Sequence, residues 1–318
     1  LNTSQYGVVD PTHSPDGASI GLIKYFALMC HITFPIPSQP IIDVIKSFFP
    51  LTFIDQILET KTLTSDYVKI LVNNTWIGTI PSQYAHHLVT FLRLMRRNAL
   101  INVFTSISWN IYGKSIKILT EGGRCSRPLL IIDPETQQFE IQKTRHKSLV
   151  KHIMRHKMDN WYSLVKGNTL SQEAFHVYDG EFKDPRLIWG TSDLSVIMKK
   201  LEQNMAPIEF IDVEESNYSM IAMRIEDIVK TSGEGKRSRF THSEIHPTLM
   251  FSAYTSIIPL AHHNHAPRNI FSAAQGKQAI GLYATNFNNR IDVMSYILHY
   301  PQKRLVKTRY NDMIGMQN

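Results

Sequence analysis

Between residues 69 and 95 the spacing of apolar side chains changes from the two-residue period of a strand to the 3.6-residue period of a helix. A chain that makes this change must fold as mixed α and β. Lys69–Val72 and Trp76–Ile80 read as two strands around an Asn73-Asn74 turn, because Asn tolerates the left-handed backbone of a tight hairpin. Ser82 stands where an N-cap is expected. Tyr84, Leu88, Phe91, Leu92 and Met95 then share a helical face, with Arg93, Arg96 and Arg97 toward the C-terminal end, where cations suit the helix dipole. Further on, Ile116–Leu119 and Leu129–Ile132 read as a second strand pair, around a turn that includes Glu121-Gly122-Gly123. Ser192 is the expected cap of a helix carrying Leu194, Ile197, Met198, Leu201 and Met205 on one side. Pro207–Val213 and Ser219–Met223 read as further strands.

Breakers divide the chain. Gly7–Ser19 reads as a loop, and an apolar run from Ile20 to Phe34 follows it. Phe34–Pro40 is a Pro-rich connector, and Ile41–Glu59 has helical periodicity broken at Pro50. Thr231–Arg239, polar and basic with two glycines, reads as a linker. The 318 residues leave room for two or three domains. An apolar share of 43% with 19% charged residues excludes a disordered or collagen-like chain. No apolar stretch approaches the roughly 20 residues that cross a bilayer, so no membrane is expected as a partner. The two cysteines, Cys30 and Cys125, make no disulfide framework, as in a reducing compartment, and Cys30 among apolar neighbours reads as packing. The N-terminus lacks an initiator Met and a signal peptide, so the chain reads as a fragment or processed piece.

Charge is unevenly placed. Residues 236–318 hold ten Lys and Arg against three acids, a net of +7, which is the whole excess of the chain. Such a region is either a solvated basic face or a surface for phosphate backbones, where each cation releases condensed counterions. Phe271, Tyr283 and Phe287 lie among these charges, as core residues or as stacking partners for bases.

GEGKRS (Gly233–Ser238) fails as a phosphate loop, because Arg237 follows the Lys and Lys230 replaces the first Gly. His242, His246, His262, His263 and His265, with Glu244, could be metal ligands, but HSEIH is not the zinc motif and Pro247 follows at once. No metal site is expected. The segment His263–Gln278 points elsewhere. Arg268 and Lys277 stand nine residues apart with amides from Asn264, Asn269 and Gln278, and Gly276 permits close approach of a backbone. Arg offers a planar fork for phosphate oxygens and Lys a compact charge. The two heads are expected to converge on one groove.

These residues carry a resemblance. FTHSEIHPTLMFSAYTSIIPL (Phe240–Leu260), HNHAPRN (His263–Asn269), QGKQAIGLYATNFNNRIDVMSYIL (Gln275–Leu298) and YPQKRL (Tyr300–Leu305) resemble the second-largest, beta-type subunit of multisubunit DNA-dependent RNA polymerases, in the eukaryotic, archaeal and large-DNA-virus branch. SQYGVVDPTHSPDGASIGLIKYFALM (Ser4–Met29) resembles the fork segment of that family. VNNTWIG (Val72–Gly78), LRLMRR (Leu92–Arg97), Gly123–Ile131 and EFIDVEE (Glu209–Glu215) match in the same order.

The resemblance implies a multidomain α+β chain, with the second part of the fork at 1–63, two external domains at 64–165 and 166–235, and the start of the β-rich hybrid-binding domain at 236–318. It implies template-directed nucleotidyl transfer in an assembled enzyme and an inactive fragment alone. Arg268 is implied near the triphosphate of the incoming NTP, and Lys277 and Gln278 near the RNA 3′ region. Lys24, Asn264, His265 and Asn269 are implied near nucleic acid. The implied partners are the largest and other polymerase subunits, the DNA template, RNA and NTP. Mg2+ is implied in the assembled enzyme, held by the largest subunit and not by this chain. Some positions depart from the family: His265 and Ala266 stand for its Gln and Ser, and Asp10-Pro11 and Ser14-Pro15-Asp16-Gly17 for its C-P and T-P-E-G. Divergence beside intact motifs points to a large DNA virus, hence cytoplasm or virion, where a cellular source would mean the nucleus. The family's G-Y-N-Q-E-D motif is expected beyond Asn318. The alternatives are an assembly piece that contacts neighbouring subunits, or a stand-alone nucleic-acid-binding module.

Overall fold

The computed structural model describes residues 2–15, 17–60, 66–133, 135–155, 161–170, 182–228, 240–278, 286–294, 296, 299, 300, 302 and 304–314. Two compact units emerge: a larger one, His31–Pro247, and a smaller one that joins Leu1–Cys30 to Thr248–Asn318. Among the described residues no helix is long and apolar enough to cross a membrane.

The larger unit runs β1 (His31–Ile32), α1 (Gln39–Phe48), β2 (Thr52–Phe53), α2 (Ile54–Thr60), β3 (Tyr67–Val72), β4 (Thr75–Pro81), α3 (Ser82–Arg97), β5 (Ser106–Asn110), β6 (Ser115–Leu119), β7 (Cys125–Ile131), α4 (Lys147–Met154), α5 (Pro185–Trp189), α6 (Leu194–Asn204), β8 (Ile208–Asp212), α7 (Val213–Ser216), β9 (Ile221–Ala222) and β10 (His242–Ser243). One sheet has the order β2-β4-β3-β6-β5. Its β3–β4 hairpin turns at Asn73 and Asn74, both with positive φ, as the sequence implied. β3 also runs parallel to β6. Against this sheet α3 buries Ala85, Leu88, Val89, Leu92 and Met95, an i, i+3, i+4, i+7, i+10 stripe. Ser82 does not cap it. Pro81 holds the N-cap position, with the rigid φ it prefers, and the Ser82 hydroxyl donates to the Asp66 carbonyl at 2.6 Å.

The second sheet is centred on β7. β8 pairs along one edge, from Ser126↔Asp212 to Leu130↔Ile208, while β1 and β10 share the other and β9 lies beyond β10. The expected pairing of Ile116–Leu119 with Leu129–Ile132 is therefore not formed. β6 stays in the first sheet, and the chain leaves it through Gly122 and Gly123. Gly123 has φ of 79°, and a Cβ at Gly122 would lie 2.7 Å from the Pro35 ring. The turn read as a hairpin is thus a crossing between sheets. The expected external domains at 64–165 and 166–235 both fall in this unit, and β7 and β8 come from either side of that division. Helix α6 begins at Leu194, and its cap is Asp193, not Ser192: the carboxylate accepts from the Ser195 N–H at 2.9 Å. Ile197 and Leu201 face the same core as α3. The expected strand Ser219–Met223 contracts to β9. The linker reading, Thr231–Arg239, lies outside the described residues.

The apolar run Ile20–Phe34 is not one buried element: His31–Phe34 belongs to the larger unit, and the part up to Cys30 to the smaller one. Ile20, Leu22, Ile23 and Phe26 are half exposed or more, because successive turns keep them from a common face. The backbone instead pairs Val9 with Phe26, and Asp10 N–H donates to the Tyr25 carbonyl at 2.9 Å. The buried Asp10 carboxylate ties this N-terminal stretch to the C-terminal one. One oxygen accepts from Thr12 N–H and hydroxyl, the other from Ser252 N–H at 2.7 Å and Thr255 Oγ1 at 2.6 Å. Burial alone would raise its pKa, but the donors from Ser252, Thr255 and Thr12 outweigh it and hold the carboxyl below its usual value. Among the described residues two α-helices follow, α8 (Ala266–Gly276) and α9 (Arg309–Met313).

Candidate nucleic-acid interface

Helix α8 carries Arg268 and Asn269 on its first turn, just after Pro267, whose fixed φ suits a helix start. Asn264 and His265 precede the helix, and Lys277 and Gln278 follow it. Arg268, Lys277, Gln278, Asn264 and His265 are exposed, as is Lys24. Lys24 stands at a cleft of about 200 Å³ lined also by Asp10, His13, Ile23 and Ile270.

The two cations do not converge. Helix α8 is unbroken from 266 to 276, and Lys277 keeps helical dihedrals of −76° and −15°. Nine residues at about 100° each leave Arg268 and Lys277 on opposite faces, roughly 13 Å apart along the axis. Each head meets its own ring. The Arg268 guanidinium lies 6.0 Å from the centroid of Phe271. The Lys277 ammonium lies 3.8 Å from the centroid of Tyr25. Tyr25 in turn stacks on His13, with centroids 3.7 Å apart and planes within 5°. Asn269 is buried, unlike the rest of the set: its amide donates to the Ala261 carbonyl at 2.7 Å and accepts from Asn264 at 3.2 Å. It fixes the approach to α8 from inside the protein. Tyr283 lies outside the described residues.

Two of the candidate metal ligands are engaged within the protein. His242 is buried, with Nε2 on Glu209 Oε1 at 2.6 Å and Nδ1 on Thr241 Oγ1 at 2.8 Å. Glu244 is tied to Arg127. Among the described residues no group of three His, Cys, Asp or Glu could hold a metal ion.

A larger cleft, about 710 Å³, lies in the larger unit, lined by Arg93, Arg97, Lys143, Arg145, Lys199 and their neighbours. Most of its cations are already committed. Arg97 grips Glu209 with two nitrogens, Arg93 stands 3.4 Å from Glu215, and Lys143 and Arg145 share Glu140. Sequence spacing gave no sign of these partners, nor of Asp10, His13 and Tyr25. Glu209 and Glu215 bracket the EFIDVEE motif, the one signal that could have found the buried carboxylates.

Four family models match the chain in order: RNA polymerase Rpb2 domain 3 at residues 1–32, domain 4 at 70–133, domain 5 at 200–247 and domain 6 at 254–318. The chain belongs to the RNA polymerase Rpb2 family. It is 33% identical over 97% of its length to DNA-directed RNA polymerase II subunit 2 of Arabidopsis thaliana, and covers 22% of that protein. It is 31% identical over 97% of its length to subunit RPB2 of polymerase II from Meyerozyma guilliermondii, covering 25% of it. To polymerase III subunit RPC2 of Saccharomyces cerevisiae it is 32% identical over 99% of its length, covering 22%. This Rpb2 chain thus spans about a quarter of the length of the relatives it matches. The Rpb2 domain 3 and 6 matches make up most of the smaller unit, and those to domains 4 and 5 lie in the larger. The relatives named are proteins of plants and fungi. They give no support to the viral origin that the divergent fork had suggested.

Proposed function

We propose that this Rpb2 chain is part of the second-largest subunit of a DNA-directed RNA polymerase and supplies basic and polar contacts to the NTP and the RNA–DNA hybrid during transcription. The observation that carries the reading is α8, which presents a guanidinium and an ammonium to solvent on opposite faces. Opposite faces suit two ligand groups rather than one. Arg268 acts on the triphosphate, and Lys277 with Gln278 on the RNA 3′ end. Asn264, His265 and Lys24 add contacts along the nucleic acid, and Asn269 acts by holding the turn before α8.

In the reaction a 3′-hydroxyl attacks the α-phosphate of the NTP and pyrophosphate leaves. Charge builds on the phosphate oxygens, and the Arg268 guanidinium offsets it. Mg2+ belongs, in this reading, to the largest subunit. The partners are that subunit, the other polymerase subunits, DNA, RNA and NTP. The eukaryotic polymerase II and III relatives favour the nucleus as the compartment. Arg268→Ala in the assembled enzyme should slow nucleotide addition on the order of 10²-fold while subunit assembly is kept. Unchanged elongation at limiting NTP would remove Arg268 from the site.

A purely structural role draws on the exposed Ile291, Val293 and Leu305, which suit contact with a neighbouring subunit. Salt-insensitive association with such a subunit and no salt-dependent contact to a hybrid would favour that role.

A further inference from the structure

We infer that Tyr25, backed by His13, is the positioning residue for Lys277, so that fork and α8 work as one device. The inference rests on the reading of Lys277 as a contact to the RNA end.

A lysine head on a four-carbon stem samples many rotamers, and a useful charge must be held in one place. The ammonium of Lys277 sits over the face of Tyr25, at 3.8 Å from its centroid, with its other side open to solvent. The ring cannot tilt away, because its second face is flat against His13. His13 is fixed in turn. Its Nδ1 is 2.9 Å from Ser252 Oγ, and Tyr254 meets its ring edge-on at 5.4 Å. Ser252 is itself held by Asp10 through its N–H. Gly276 lies against the Tyr254 ring: a Cβ there would stand 3.3 Å from Tyr254 Cδ1, a close contact at the end of α8. Burial, then the charge of Lys277, keep the His13 ring below its usual pKa despite Asp10. A neutral ring beneath Tyr25 leaves the negative face of the tyrosine to a single cation.

The test uses the assembled polymerase with Tyr25→Leu, Tyr25→Phe, Lys277→Ala and the Tyr25→Leu/Lys277→Ala pair, and reads nucleotide addition and retention of short transcripts. Tyr25→Leu should weaken both about twofold to fivefold, the range of a cation–π contact at an exposed site, and Tyr25→Phe should restore them. The pair should be no worse than Lys277→Ala alone. Normal function of Tyr25→Leu, or losses that multiply in the pair, would overturn the inference while leaving Lys277 in place. A silent Lys277→Ala would overturn the reading of Lys277 itself and the inference with it.

Discussion

Arg96 and Glu215 meet as a two-pronged ion pair in the interior of the larger unit, Nη1 to Oε2 at 2.6 Å and Nη2 to Oε1 at 2.9 Å. Arg96 also reaches Glu209 at 2.8 Å and the Thr105 carbonyl at 2.8 Å. It sits on α3, while Glu209 is on β8 and Glu215 on α7, so one side chain joins three elements. Burial opposes its charge, but Glu215 and Glu209 outweigh that and raise its pKa.

Replacing Arg96 by Met should therefore cost about 3–5 kcal/mol in denaturant unfolding, because two carboxylates lose their deepest partner. Adding Glu215→Gln should restore part of it, since the uncompensated charge is then removed. A loss below about 1 kcal/mol in the single variant would mean that water reaches the site.

Stability should fall on acidification. His146 is buried, and desolvation, then Arg145 and Lys143, push its pKa from 6.5 down to about 4. Glu140, which could have favoured the charged ring, is already shared by Arg145 and Lys143. At pH 7 folded and unfolded states are both neutral at this residue. Below about 6.5 the unfolded chain takes a proton that the folded chain refuses until about 4, so stability is lost through that window and the loss is complete below it. The 2.5-unit gap corresponds to about 3 kcal/mol. His242, lowered by burial, acts in the same direction. Unfolding measured from pH 7.5 to 4 should show a shallower slope in His146→Phe, whatever its stability at pH 7. An unchanged slope would exonerate His146.

The β3–β4 hairpin and the α3 stripe were legible because both depend on neighbours a few residues away. The partners of Arg96 and Arg97 were not. They lie more than a hundred positions along the chain, and a helix dipole was a sufficient local reason for basic residues there. Lys277 and Arg268 failed differently. Their spacing of nine was read as proximity, whereas the helix that carries them turns it into opposition. The Tyr25 platform had no local signal at all, since Tyr25 and Lys277 meet only after the chain returns.

Gly78→Ala should separate the short strand β2 from its sheet. Phe53 pairs with Gly78, and a Cβ there would run into the Thr52 carbonyl, with Leu51 Cδ1 at 3.2 Å. Backbone cannot yield as a flexible side chain does, so a loss of about 1–3 kcal/mol is expected. Amide exchange should show β2 opening first. An Ala variant as stable as the parent would show that β2 is dispensable.

Asn269 should prove a structural pin. The residue is 4% exposed, and its amide bonds Ala261 and Asn264. Asn269→Ala leaves the Ala261 carbonyl without this donor, which should cost about 1–3 kcal/mol. Asn269→Asp should cost more, because a carboxylate oxygen would then face that carbonyl at hydrogen-bond distance. The order Asn, Ala, Asp in thermal unfolding is what this geometry demands. A residue that touched NTP directly would give the reverse signature: a raised KM in the assembled enzyme, with the unfolding temperature of all three variants alike.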